Sequence, residues 1–342
     1  ASNNTALGHD ALRLNTTGHS NVAVGANALQ ANTTADFNNA VGYTALQNNT
    51  TGTLNDAFGY VALNDNTTGS HNTAIGGGAL DSNTTGDSNA AVGRDAIGSN
   101  TTGSQNTALG RNALGVSTTA SNNTAVGYNS LVSNTTGDSN TALGSFAAQS
   151  TSTANNCTAI GRSSLFDNST GSDNTAIGKS ALENNTTANN NTAVGSSALL
   201  ANTTGASNTA VGRAAMQLNT TGANNLAVGA NALDANTTGN GNIAVGVETL
   251  GSNTTAGANV GVGNDALGNA STGGSNTAIG HQAGLNVTTG ANNLFLGHDA
   301  GKSSSPSGSI TDGNNNICLG DNSISNAFIK VAFTVTSDQR DK

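Results

Sequence analysis

Small and aliphatic residues return along this chain at one fixed spacing. A Gly preceded by an aliphatic residue or Phe recurs at 8, 25, 42, 59 and every seventeenth position up to 297, without insertion or deletion. A further copy ends at Gly320 after six extra residues. The stretch at 191–205, NTAVGSSALLANTTG, is a representative unit. Number it from its Gly as position 1, so that Asn, Thr, Ala and the aliphatic residue hold positions 14 to 17. Position 17 is then always aliphatic or Phe (Leu7, Val24, Val41, Phe58, Ile75), and position 16 is Ala except at Gly261, Phe295 and Cys318. A strict period of this length marks a stacked repeat.

The alternation at positions 15 to 17 predicts a short strand with 15 and 17 on one face and Ala on the other. Ala at position 4 and Leu at position 5 (Leu12, Leu29, Leu46, Leu63, Leu233) predict a second strand, with Leu inward and Ala outward. Two strands in seventeen residues leave no room for a helix. The expected fold is all-β: a parallel β-solenoid or β-roll of about nineteen rungs, with a thin core between the position 17 and position 5 files. At ~4.8 Å per rung the rod is roughly 90 Å long.

Turn chemistry supports this. Asn-Thr-Thr-Gly at positions 8 to 11 fits a type I turn, and its second Thr is invariant in seventeen copies from Thr17 to Thr289. Gly at position 1 implies positive φ or a close backbone approach. Asn holds position 14 in eighteen of nineteen units, Cys157 being the exception, which predicts a stacked amide ladder. So narrow a coil encloses few aliphatic side chains. The near-unbroken Ala file of position 16, with mostly Ala or Ser at position 4, reads as a flat seam along which chains associate, most simply as a homotrimer.

Composition sharpens the picture. With 8% charged and 3% aromatic residues the chain passes for a disordered one, but disorder gives no reason to hold a period. A net charge of −9 and the lack of a basic stripe argue against nucleic acid as a partner. No transmembrane run or basic amphipathic helix signals membrane insertion. Cys157 and Cys318 lie too many rungs apart to pair within one chain. The start at Ala1, in mid-repeat, leads us to expect a longer parent protein.

Three segments are expected: a repeat shaft at 1–297, an irregular terminal rung and tail at 298–336, and a short junction at 337–342. Position 2 carries the most distinctive side chains. It holds Tyr43, Tyr60, Tyr128, Arg94, Arg111, Arg162, Lys179 and Arg213, together with His9, His281 and His298. This ridge is either a receptor-gripping edge or a solvated corner where any polar residue is tolerated. The interruption around Lys302–Gly308, with the single Pro306, is a candidate distal loop or a plain connector. Bulky Phe295 and Cys318 beside it imply a change of packing toward a trimeric cap. The Asn-Thr-Thr triplets match the N-glycosylation sequon, although turn chemistry already accounts for their Asn. A Thr-rich ice-binding face is a minor alternative, because the Thr residues of positions 9 and 10 are adjacent and point apart. No catalytic constellation, phosphate loop, cofactor motif or metal-ligand spacing emerges; Asp10, Asp95 and Asp265 share a corner column.

The NTAVG and ALxxNTTG phrases resemble the head repeats of trimeric autotransporter adhesins, from residue 4 to about 320. That resemblance implies a left-handed parallel β-roll that trimerises. The stretch 327–342, AFIKVAFTVTSDQRDK, resembles the junction leading into the intramolecular chaperone (peptidase S74) domain of phage tail fibres and tailspikes. There it implies autocleavage between Ser337 and Asp338. Together these imply a structural and adhesive fibre without an enzymatic site of its own. It would be the shaft of a phage tail fibre, in the virion tail or extracellular. Its partners would be other phage tail proteins and a glycan or protein receptor on the host. A bacterial surface adhesin or filament with the same roll is the alternative.

Overall fold

The structure, a computed structural model, describes residues 2–326. Nineteen three-residue strands, from β1 (Thr5–Leu7) and β2 (Val22–Val24) to β18 (Leu294–Leu296) and β19 (Ile317–Leu319), form one parallel sheet. Each strand pairs with the next in zero-shift register: Thr5 faces Val22, Ala6 faces Ala23 and Leu7 faces Val24. Among the described residues there is no helix. The chain is thus an all-β parallel solenoid with one seventeen-residue coil per rung.

The two strand faces are the reverse of the sequence expectation. Ala at position 16 points into the coil, where Ala23, Ala40 and Ala57 are fully buried beside Ala28, Leu29 and Leu46. The aliphatic file of position 17 points out, with Leu109 half exposed at 51%. The reason is volume. The space behind each strand already holds the position 5 Leu and the position 4 Ala, so only a methyl fits opposite them. The Ala file is therefore core rather than an outer seam.

The expected second strand is absent as well. Positions 1 to 8 form successive tight turns, in which Ala28 N–H donates to the Gly25 carbonyl at 3.3 Å and Asn32 N–H to the Leu29 carbonyl at 3.3 Å. Leu29 sits between them in the left-handed region at φ 50°, and Leu46 at 54°. For a residue with a Cβ that conformation costs ~1–2 kcal/mol. Full burial of a Leu side chain returns ~1.5–3 kcal/mol, and Leu29 N–H also reaches the Ala45 carbonyl of the next rung at 3.1 Å. Burial therefore prevails over backbone preference.

Gly at position 1 behaves as expected. At Gly161 φ is 128°, and a Cβ there would lie 2.6 Å from the carbonyl oxygen of Gly178 one rung on. Rungs stack too closely at this corner for any side chain.

Asparagine builds two interior ladders rather than one. At position 14 the amide oxygen accepts the next rung's backbone N–H, as in Asn55 N–H to Asn38 Oδ1 at 3.0 Å. The amide nitrogen of Asn55 donates to the Gly69 carbonyl at 2.9 Å. Cys157 breaks this file: its own N–H still reaches Asn140 Oδ1 at 2.9 Å, while its Sγ stands where the next rung needs an amide oxygen. Burial pushes that thiol up to about 11. Amide-to-amide bonds also join several position 14 rungs, as in Asn72 Nδ2 to Asn55 Oδ1 at 3.2 Å. A second, shorter-bonded amide ladder runs through position 8, where Asn66 Nδ2 donates to Asn49 Oδ1 at 2.8 Å. The same Nδ2 closes the bend by bonding the Gly69 carbonyl at 2.8 Å.

Exceptions in the Ala file are balanced by their neighbours. Thr249 replaces Ala at position 4, and Gly261 answers at position 16, where a Cβ would lie 2.7 Å from Thr249 Cγ2. Phe295 is fully buried, and the position 5 Leu gives way to Gly284 and Gly301 on either side of it. A Cβ at Gly284 would come within 2.8 Å of the Phe295 ring. Phe295 is a repacked core residue, and the bulk expected at an outer cap lies inside the coil.

Candidate functional site

Position 2 follows the corner Gly, so its side chains leave the coil at the end of the strand. Tyr43, Tyr60, Arg94, Arg111, Tyr128, Arg162, Lys179 and Arg213 are all exposed there. The rung spacing stacks successive members. The Tyr43 and Tyr60 rings lie 5.6 Å apart at 11°, and the Arg111 guanidinium sits 5.9 Å from the Tyr128 ring centre. Arg94 Nε lies 3.2 Å from Asp95. The file is interrupted by Gly77 and Ser145, so it forms short groups rather than one continuous aromatic strip.

The interruption places its two named residues differently. Lys302 turns inward, its Nζ donating to Gln282 Oε1 and, at 3.1 Å, to Asp299 Oδ1. Pro306 is exposed at the tip. The loop closes on itself through Ile310 N–H to the Gly301 carbonyl at 3.0 Å. Stacking then resumes with an offset of twenty-three, as Thr288 N–H reaches the Thr311 carbonyl at 2.7 Å. Lys302 is a tie between rungs, and Pro306 alone has the exposure a receptor contact needs.

Ser337 and Asp338 lie outside the described residues, as does the rest of the 327–342 junction. Asp265 is not isolated in its corner column. Together with Asp234 and Glu248 it borders a shallow depression of about 260 Å³. Burial raises the Asp234 carboxyl above its ordinary value, its own and Ala235's backbone N–H groups lower it, and Glu248 raises it further. Cys157 and Cys318 are free and buried, as their separation implied.

Sequence reasoning missed the outward strand face. Its centre is the position 17 file, apolar in all nineteen rungs, with Ile75 43%, Leu143 47% and Ile279 45% exposed. Position 15 flanks it with Thr in seven successive strands from Thr107 to Thr209. The signal was present in the sequence, since a position kept aliphatic in every rung requires apolar contact. A core, however, is the commoner source of such contact.

Comparison with protein-family models gives no match, and no curated protein matches the sequence.

Proposed function

We propose that this chain is the shaft of a homotrimeric phage tail fibre, a rigid structural and adhesive spacer that carries a host-binding end. The observation behind the proposal is the unbroken outward file of aliphatic residues at position 17. A strand of three residues is ~10 Å wide and the rod is ~90 Å long, so the face offers roughly 900 Å² per chain. Stable interfaces bury about 800 Å² per partner. The aliphatic file is one of the two outward columns of this face, Thr holding much of the other, and an apolar file running the length of the rod calls for a cover. Another copy of the same rod matches its period rung for rung, so the occupant we propose is the chain itself. Three strips meeting on one axis cover one another without leaving an open edge, in keeping with the adhesin-head resemblance. Adhesion by such a fibre is multivalent, with three copies of each exposed corner presented together. Antibodies raised against the chain should decorate the tails of virions from its source. Decoration of the bacterial surface alone would overturn the phage assignment in favour of a cellular filament.

One observation favours a second reading, ice binding. From Thr107 to Thr209 the outward face repeats Thr and an aliphatic residue at alternate positions of seven successive strands. This is the regular arrangement that positions 9 and 10 lack. It requires the face to be open to solvent, so it competes directly with the trimer. Thermal hysteresis in a concentrated solution would support it, and its absence would remove it.

A further inference from the structure

We propose that the distal end of the solenoid binds a zinc-class divalent metal ion through His281, His298 and Asp299, with Asp321 completing the set. In the position 2 file, His281, His298 and Asp321 occupy three successive rungs, the only such run of potential ligands in that column. One ligating atom from each of His281, His298 and Asp299 lies within 4.8 Å of the others. The two imidazoles stack at 5.2 Å and 11°, and His298 Nδ1 lies 3.3 Å from Asp321 Oδ2.

The ligand atoms are only lightly held by their surroundings, the Ser304 hydroxyl reaching Asp299 Oδ2 at 3.5 Å. Lys302 holds Asp299 Oδ1 at 3.1 Å, which directs Oδ2 toward His298 Nδ1 at 3.8 Å. Ser323 N–H holds Asp321 Oδ1 at 2.9 Å, again leaving Oδ2 on the histidine side. Both histidines are exposed, so their rings are free to turn out of the parallel stack until their in-plane lone pairs converge, which brings donors from 4.8 Å to the roughly 3.5 Å that tetrahedral bonds of ~2.1 Å require. Two imidazoles with carboxylates suit zinc and its borderline neighbours, whereas calcium and magnesium favour all-oxygen sets. His298 and Asp299 are neighbours in sequence, but His281 lies seventeen residues before His298 and Asp321 twenty-three after it, so only the stacking of rungs brings these two to the pair. A bound ion ties the last regular rungs to the rung after the interruption.

The test is a calorimetric titration of the untagged chain with Zn²⁺, with Ca²⁺ as contrast. One saturable zinc site per chain is expected. His281→Ala and His298→Ala should each weaken it at least tenfold, and Ca²⁺ should give no saturable heat. Co²⁺ in place of Zn²⁺ should give visible absorption bands that the double variant lacks. Both side chains are exposed, so the variants should keep the wild-type far-ultraviolet circular dichroism. Unchanged zinc binding in the folded double variant, or no saturable zinc binding up to millimolar concentration, overturns the site.

Discussion

Asn83 Nδ2 donates to Asn66 Oδ1 at 2.8 Å, one step of an interior amide ladder running along the rod. Breaks in that ladder leave buried polar atoms without partners. Asn100 Oδ1 faces Ser117 in the next rung and Asn253 Oδ1 faces Ala270; both are unpartnered, as are the Ser117 and Thr151 hydroxyls. Restoring the amide with Ser117→Asn should raise stability by about 1 kcal/mol, the net worth of a typical hydrogen bond. The shift in denaturation midpoint measures it. An unchanged or lowered midpoint would show that the ladder contributes nothing beyond fit.

Phe295 and its two glycines form a single packing unit. Phe295→Ala should lower stability by about 3–5 kcal/mol through the cavity it leaves. Adding Gly284→Leu recreates the Ala and Leu pairing of regular rungs and should recover part of the loss. By itself Gly284→Leu should be destabilising, because its Cβ meets the Phe295 ring. A double-mutant cycle reads the coupling, and simple additivity would refute it.

The adjacent Thr files of positions 9 and 10 differ in role. Thr135 Oγ1 donates to the Ser152 carbonyl of the next rung at 3.0 Å, whereas Thr136 is exposed. Thr135→Val should cost about 0.5–1.5 kcal/mol, and Thr136→Val should stay within about 0.5 kcal/mol of wild type. Paired denaturation curves test this, and equal effects would contradict the assignment.

Burial raises the carboxyls of Asp81 and Asp167 above the ordinary 3.8, with smaller repulsion from Asp65 and Asp95 at Asp81 and from Glu183 at Asp167. A raised carboxyl binds its proton more tightly in the folded chain, so stability falls as pH rises through the folded value. The penalty is complete above that value and gone below the ordinary 3.8. Asp81→Asn should therefore stabilise the rod at neutral pH, with the gain disappearing by about pH 3. A gain that persists at low pH would assign the effect to packing.

Period, rung count and the corner Gly were legible because each rests on local chemistry repeated many times. The facing of the strand was not. Alternation at Thr192, Ala193 and Val194 fixes which residues share a side, but leaves open which side is in. Only the volume left by Leu199 and Ala198 settles it. The left-handed backbone at Leu29 was hidden for a related reason, since bulky residues adopt it only where burial compels them. Positions 3 and 13 share that conformation and gave a fainter hint in their frequent Asn, Asp and Ser, as at Asn112 and Ser88. His281 and His298 were legible as members of the position 2 ridge but not as a ligand pair, because ligand motifs are sought along the sequence and these residues meet only across rungs.

The outward aliphatic file is the centre of the functional account, and molecular mass tests it most directly. Sedimentation equilibrium of the chain should give three times its 33.3 kDa mass. Val194→Lys with Val211→Lys, which place charges in the middle of the file, should shift it toward monomer while preserving the circular dichroism. A wild-type chain that sediments as a stable monomer would contradict the account.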